Sequence, residues 1–83
     1  MQTYKIDVLN LVDPNGSVKS DCADITFFNA GTSNIVLCNA LTIFPGTSIT
    51  FSANENELDK TVYTYFFSGA GQNRLIVFRK VYI

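Results

Sequence analysis

Residues 24–55 read DITFFNAGTSNIVLCNALTIFPGTSITFSANE, and between Asp24 and Glu55 the stretch holds no charged side chain. It carries two glycine-centred turn signals, Asn29-Ala30-Gly31-Thr32-Ser33-Asn34 and Phe44-Pro45-Gly46-Thr47, set between short runs of strand-forming residues. Ile49 and Phe51 alternate with Ser48, Thr50 and Ser52, the period of a half-buried strand. Pro45-Gly46 predicts a type II turn, because proline fixes φ at the second corner and glycine accepts positive φ at the third. Strand edges are ordinarily defended by charge. An uncharged middle third therefore predicts a β-domain that meets another protein.

Outward from this segment the chain continues as strands. Thr3 to Val12 alternates, with Tyr4, Ile6 and Val8 on one side and Thr3, Lys5 and Asp7 on the other, until Leu9 and Leu11 make its second half apolar on both faces. Asp13-Pro14-Asn15-Gly16-Ser17 is a turn signal. Strands are expected over Ile25–Phe28 and Ile35–Cys38, with a kink or bulge at Asn39-Ala40. Asn54 to Lys60 is dense in charge and is expected to form one helical turn. Tyr63, Tyr65 and Phe67 then alternate with Val62, Thr64 and Phe66, and Gly69-Ala70-Gly71-Gln72-Asn73 is expected to close a hairpin onto a last strand, Arg74–Ile83. Six or seven short strands at this spacing predict a single all-β domain over 1–83, an antiparallel sandwich or barrel of immunoglobulin-like or jelly-roll-like type.

Composition limits what such a domain does. Of 83 residues, 47% are apolar and only 16% charged, against about a quarter charged in a typical domain. A domain this small buries only about 60–65% of its unfolded surface. Oligomerisation or docking removes the surplus apolar area from water, so a closed homo-oligomer, a trimer or pentamer, is expected. Leu9, Leu11, Val36 and Cys38 are its candidate interface residues, being apolar positions on strands with two apolar faces.

Net charge is −1 with six scattered basic residues, which opposes nucleic-acid binding, where clustered cations must displace counterions. Met1 to Lys5 leads into an alternating strand, so no secretory leader is expected. No apolar run reaches the ~18–20 residues of a membrane helix. Cys22 and Cys38 lack CxxC spacing, and the chain contains no histidine to join them on zinc. Free thiols are the expected state, with a Cys22–Cys38 disulfide as the lesser reading.

Other chemistry-bearing patterns have plainer readings. Asp13, Asn15, Ser17, Asp21 and Asp24 fall at positions 1, 3, 5, 9 and 12 of a calcium-loop count, but Val18 stands where that loop needs glycine. A solvated turn is expected, with no metal and no cofactor. Asn15-Gly16-Ser17 fits a glycosylation pattern that also reads as a turn, and Gly69-Ala70-Gly71 lacks the third glycine of a dinucleotide loop. Glu55, Glu57 and Asp59 form one acidic segment without an aromatic pocket. Acyl transfer with a histidine base is excluded by composition, and no enzyme is expected. Tyr63 and Tyr65 are the candidate ligand-stacking residues, since stacking on a sugar requires no charge. Packing of the aromatics with Phe27, Phe44, Phe51 and Phe78 in the core is the expected reading, and stacking on a ligand is the lesser one.

Phe28-Asn29-Ala30-Gly31-Thr32-Ser33-Asn34-Ile35, followed by Leu41, Pro45-Gly46-Thr47-Ser48 and Phe51, resembles the strand-turn-strand signature of small virion proteins of tailed bacteriophages. It is also similar to the first half of many immunoglobulin-like domains, although the chain has no core tryptophan. The resemblance covers about a third of the chain and consists of turn chemistry. It implies a non-enzymatic capsid, tail or fibre component, made in the host cytoplasm and located in the virion. Its partners would be copies of itself and other virion proteins. The alternative is a glycan-binding or surface-binding sandwich used for attachment.

Overall fold

The computed structural model describes residues 3–20, 24–52, 62–69 and 71–82. They form eight strands: β1 Tyr4–Leu11, β2 Asn15–Lys19, β3 Asp24–Asn29, β4 Asn34–Leu37, β5 Leu41–Ile43, β6 Ser48–Ser52, β7 Val62–Ser68 and β8 Leu75–Tyr82. Two antiparallel four-stranded sheets result, with orders β1-β8-β3-β6 and β2-β7-β4-β5. The domain is an all-β sandwich.

The pairing has a simple origin. β4 pairs β5, β3 pairs β6, β2 pairs β7 and β1 pairs β8, all antiparallel. The chain is thus one long hairpin with its tip between β4 and β5. Rolling it up adds the β3–β8 and β4–β7 pairings and distributes alternate layers to the two sheets. This is a jelly roll, eight strands in two Greek keys. An immunoglobulin domain would instead place its first strand beside its second. The uncharged stretch is the inner half of the rolled hairpin.

Eight strands replace the six or seven expected because β2 begins inside the Asp13–Ser17 turn signal, at Asn15. The Gly69–Asn73 segment is not a hairpin either. It carries the chain from β7 in one sheet to β8 in the other. At the hairpin tip, Cys38 and Asn39 both adopt φ near 55°, and the Ala40 N–H donates to the Leu37 carbonyl at 3.1 Å. Two consecutive positive φ values form a tight reversal of the type I′ kind, so Cys38 leaves the strand one residue early, and with Leu37 opposite Leu41 the connection takes three residues, Cys38 to Ala40. The Asn54–Lys60 segment and Cys22 lie outside the described residues.

The two turn signals of the sequence meet in space. The Asn29 N–H donates to the Thr47 carbonyl (3.0 Å), and the Gly46 N–H donates to the Asn29 carbonyl (2.9 Å). Gly46 takes φ 80° and the Thr47 N–H closes onto the Phe44 carbonyl at 3.1 Å, as a type II turn requires. The Asn29 side chain, fully buried, donates from Nδ2 to the carbonyls of Ser33 (2.7 Å) and Ile43 (2.9 Å) and accepts from the Gly31 N–H (3.1 Å). One amide therefore fixes the β3–β4 crossover against the end of β5. The β7–β8 crossover lies alongside, with the Thr32 N–H on the Gln72 carbonyl at 2.9 Å and the Ala30 N–H on that of Arg74 at 3.0 Å.

Between the sheets the core comprises Val18, Ile25, Phe27, Ile35, Leu37, Ile43, Tyr63, Tyr65, Leu75 and Val77. Phe27 meets Phe51 and Tyr63 edge to face, at centroid separations of 6.1 and 5.1 Å. Phe44 and Phe78, expected here, are exposed instead. Phe44 follows the last residue of β5, at the mouth of the Pro45-Gly46 turn, and Phe78 has the parity of the outer face.

Candidate interaction surfaces

β1 shows how the surfaces arise. Its register against β8 pairs Asp7 with Arg79, Leu9 with Val77 and Leu11 with Leu75, and Val77 and Leu75 are buried in the core. Odd-numbered residues of β1 therefore point inward, and Tyr4, Ile6 and Val8 point to the outside. Alternation groups Tyr4, Ile6 and Val8 on one side of the strand without deciding whether that side is buried. Here they lie on the open face, with Ile6 62% and Val8 54% exposed. Leu9 and Leu11, expected at an interface, pack half-buried on the protein's own core. The second half of β1 is apolar on both faces because one face is inward and the other is an apolar outer surface.

That outer surface continues across the sheet. Val8 faces Phe78, which faces Thr26, and Thr26 in turn faces Thr50. The two threonine hydroxyls are hydrogen-bonded at 2.9 Å. Ile6, Asp24, Thr26, Thr50, Phe78 and Lys80 line a groove of about 210 Å³ on this face. The Lys80 ammonium lies 4.0 Å from the centre of the Tyr4 ring, a cation–π contact worth about 0.5–1 kcal/mol at an exposed site. Tyr4, Ile6, Val8 and Phe78 are thus exposed together as large apolar side chains on this solvent-facing sheet.

The inward rim of β1 is polar. Arg79 pairs with Asp7 through Nη2 and Oδ2, and its Nη1 donates to the Lys19 carbonyl (2.9 Å) and the Ser20 carbonyl (3.3 Å). One guanidinium thus ties β1 and β8 to the end of β2 in the opposite sheet. The hydrogen bond from Arg79, then its charge and that of Lys5, hold the Asp7 carboxyl below its ordinary 3.8 despite some desolvation. A lowered folded value means that the pair stabilises the fold above 3.8 and that this contribution is lost as pH falls through the folded value. The stability difference between the parent and Asp7→Asn, followed by urea unfolding from pH 7 to pH 2, should shrink towards zero in acid. A difference independent of pH would show that the carboxylate charge contributes nothing.

On the other sheet, a shallow cleft of about 600 Å³ is lined by Pro14, Asn15, Gly16, Asn39 and residues 64–67. Phe66 is exposed on its floor, with Asn15 directly opposite on β2 and Val36 opposite on β4. Tyr63 and Tyr65, the candidate stacking residues, are 6% and 5% exposed, so neither ring presents a face to a ligand, and both pack in the core as the aromatic-packing reading expects. Their strand parity is inward because Tyr63 pairs with the buried Val18 and Tyr65 with Gly16. A Cβ on Gly16 would lie 2.8 Å from the Tyr65 hydroxyl oxygen, so the glycine makes room for the ring. Burial, with a smaller contribution from Asp13, pushes the Tyr65 phenol above 10.0. Alternation placed Tyr63, Tyr65 and Phe67 on one face correctly, but only the register with β2 decides which face is inside.

The four expected interface residues do not form one surface. Leu9 and Leu11 face the core, Val36 is half-buried on the outer face of the second sheet, and Cys38 is an exposed free thiol at the hairpin tip. The calcium-like count also divides, since Asn15 and Ser17 stand on β2 paired with β7 and Asp21 lies outside the described residues. Comparison with protein-family models, with curated proteins and with solved structures gives no match to this chain.

Proposed function

We propose that this protein is a non-enzymatic structural component of a bacteriophage virion, a capsid, tail or fibre accessory, acting by multimeric assembly with copies of itself and with other virion proteins. The observation that carries the assembly mode is the outer face of the β1-β8-β3-β6 sheet, where Tyr4, Ile6, Val8 and Phe78 are exposed together. Burying such a face against a neighbour stabilises the complex by about 25 cal/mol per Å² of apolar area before the costs of association. The virion class is supported by the turn signature and by the jelly roll, an architecture used by viral capsid and lectin domains. That support is an analogy of fold.

Light scattering tests the reading. The parent is expected to sediment and scatter as a closed oligomer at micromolar concentration. Val8→Glu should shift it towards monomer while moving the melting temperature of the monomeric fold little, since Val8 is exposed and absent from the core. A parent that stays monomeric at that concentration, soluble and without other virion proteins, would remove the basis of the proposal.

The second reading, attachment to a glycan, draws on the cleft at Phe66. An exposed aromatic ring beside Asn15, Asn39 and Thr64 supplies a stacking surface with amide and hydroxyl groups around it, the mixture that neutral sugars meet in binding sites. Binding to a glycan array that disappears in Phe66→Ala would support it. An array without signal for the folded parent would end it.

A further inference from the structure

We infer that two copies of this chain join through β1, edge to edge and antiparallel about Ile6, so that the β1-β8-β3-β6 sheets of both copies become one eight-stranded sheet. The inference rests on the assembly reading above and specifies the surface and the partner, a second copy.

β1 is an edge with hydrogen-bonded neighbours on one side alone among the described residues. It is eight residues long, contains neither proline nor glycine, and pairs with β8 without interruption from Tyr4 to Leu11, so no bulge twists it away. The other edges are poorer templates. β5 has three residues, β2 contains Gly16, and β6 offers Ser48, Thr50 and Ser52 on its outer face. A long edge without bulge, proline or glycine either pairs or must be protected.

Its charges select the register. Lys5 and Asp7 are the only charged residues of β1, and both have inward parity. Pairing about Ile6 sets Lys5 of each copy opposite Asp7 of the other, twice by symmetry. Moving the axis to Lys5 sets lysine against lysine, and moving it to Asp7 sets aspartate against aspartate, both unfavourable for directly opposed residues. Moving it to Val8 sets Lys5 against Leu11 and Asp7 against Leu9. Charges that repel an unrelated strand are thus matched by a second copy. Asp7 keeps Arg79 on its β8 side and gains Lys5 on the other, which a carboxylate with two acceptor oxygens accommodates.

The same register orders the outer face. Ile6 meets its own symmetry mate and Tyr4 meets Val8, with the two-fold axis normal to the sheet. Both apolar outer faces then lie on the same side and form one surface. The contact is isologous and closes at two copies, so assemblies built on it have even numbers of chains. The trimer or pentamer expected from the neutral stretch would need a different, head-to-tail contact.

Cysteine cross-linking in a Cys22→Ser, Cys38→Ser background distinguishes this contact from assembly in general. With a short bis-maleimide, Ile6→Cys is expected to give covalent dimer by itself. Tyr4→Cys and Val8→Cys should each cross-link weakly alone and strongly when the two variants are mixed. Lys5→Glu, at an exposed position, should weaken dimerisation by about tenfold through two new like-charge pairs, with the monomer still folded by circular dichroism. A dimeric or larger parent in which Ile6→Cys fails to cross-link, or in which Lys5→Glu associates as well as the parent, overturns the edge contact and leaves the assembly reading standing. A monomeric parent overturns both.

Discussion

Asn29→Asp is expected to leave the protein largely unfolded at neutral pH and to recover part of its stability in acid. The parent amide makes three hydrogen bonds in a fully buried site, two of them donated by Nδ2 to the carbonyls of Ser33 and Ile43. An aspartate keeps the shape and the acceptor for the Gly31 N–H, but sets oxygen against two carbonyl oxygens. Ionised, it is an uncompensated buried charge, which costs about 3–5 kcal/mol. A domain of this length has only about 4–12 kcal/mol in total. Burial without a cation raises the carboxyl's folded value above the unfolded one near 3.9. Stability is then fullest below that unfolded value and is lost as pH rises through the folded one.

The gap between Asn29→Asp and the parent should therefore narrow from pH 7 towards pH 4, whereas Asn29→Ala should show a loss that changes little over that range. Thermal melts monitored by circular dichroism would measure both. If Asn29→Asp melted within about 4 °C of the parent at pH 7, the shift would correspond to under about 1 kcal/mol, and the site would have to be open to water. Loss at this one side chain reaches both turns, because the Asn29 backbone holds Gly46 and Thr47 while its amide holds Gly31 and Ser33 in place.

What the sequence reveals about this fold follows from which signals are local. Alternation and turn residues are local, so β3, β6 and β7, the Pro45-Gly46 reversal and the all-β class can be read without a structure. Sidedness is not local. Alternation groups Tyr4, Ile6 and Val8 on one face of β1 and Tyr63, Tyr65 and Phe67 on one face of β7 without deciding which side either face takes, and the first set faces water while Tyr63 and Tyr65 fill the core. Only the pairings Asp7–Arg79 and Val18–Tyr63, which join residues far apart in the chain, decide these faces. β2 escapes notice because Asn15 and Gly16 have the chemistry of a turn and enter the strand through pairing with Phe66 and Tyr65.

The same distinction explains why the candidate surfaces were only half legible. A shortage of charge and a surplus of apolar residues point to docking, and composition carries both. The location of the candidate docking face depends on β8, whose Phe78 and Lys80 stand beside Val8 and Ile6 although 70 and 74 positions away along the chain. Phe66 is found by the same reasoning. Once Tyr65 is inward, its neighbour in the strand must point outward.

Phe27→Ala is expected to cost about 3–5 kcal/mol and to exceed Phe51→Ala, although Phe51 stands on the more regular strand. Phe27 is fully buried on central strand β3, where it is opposite Val77 on one side and Ile49 on the other. Its ring touches both other members of the aromatic cluster, Phe51 and Tyr63, across the interval between the sheets. Removing it leaves a cavity that walls of hydrogen-bonded strand cannot collapse to fill. Phe51 lies on edge strand β6 and is half-buried, so its loss exposes the site to water and removes less area from the interior. Chemical denaturation of both variants at one protein concentration, below that at which the parent associates, gives the comparison. A larger loss for Phe51 than for Phe27 would mean that β6 lies inside the sheet and β3 nearer its edge, which contradicts the rolled-hairpin order from which both candidate surfaces follow.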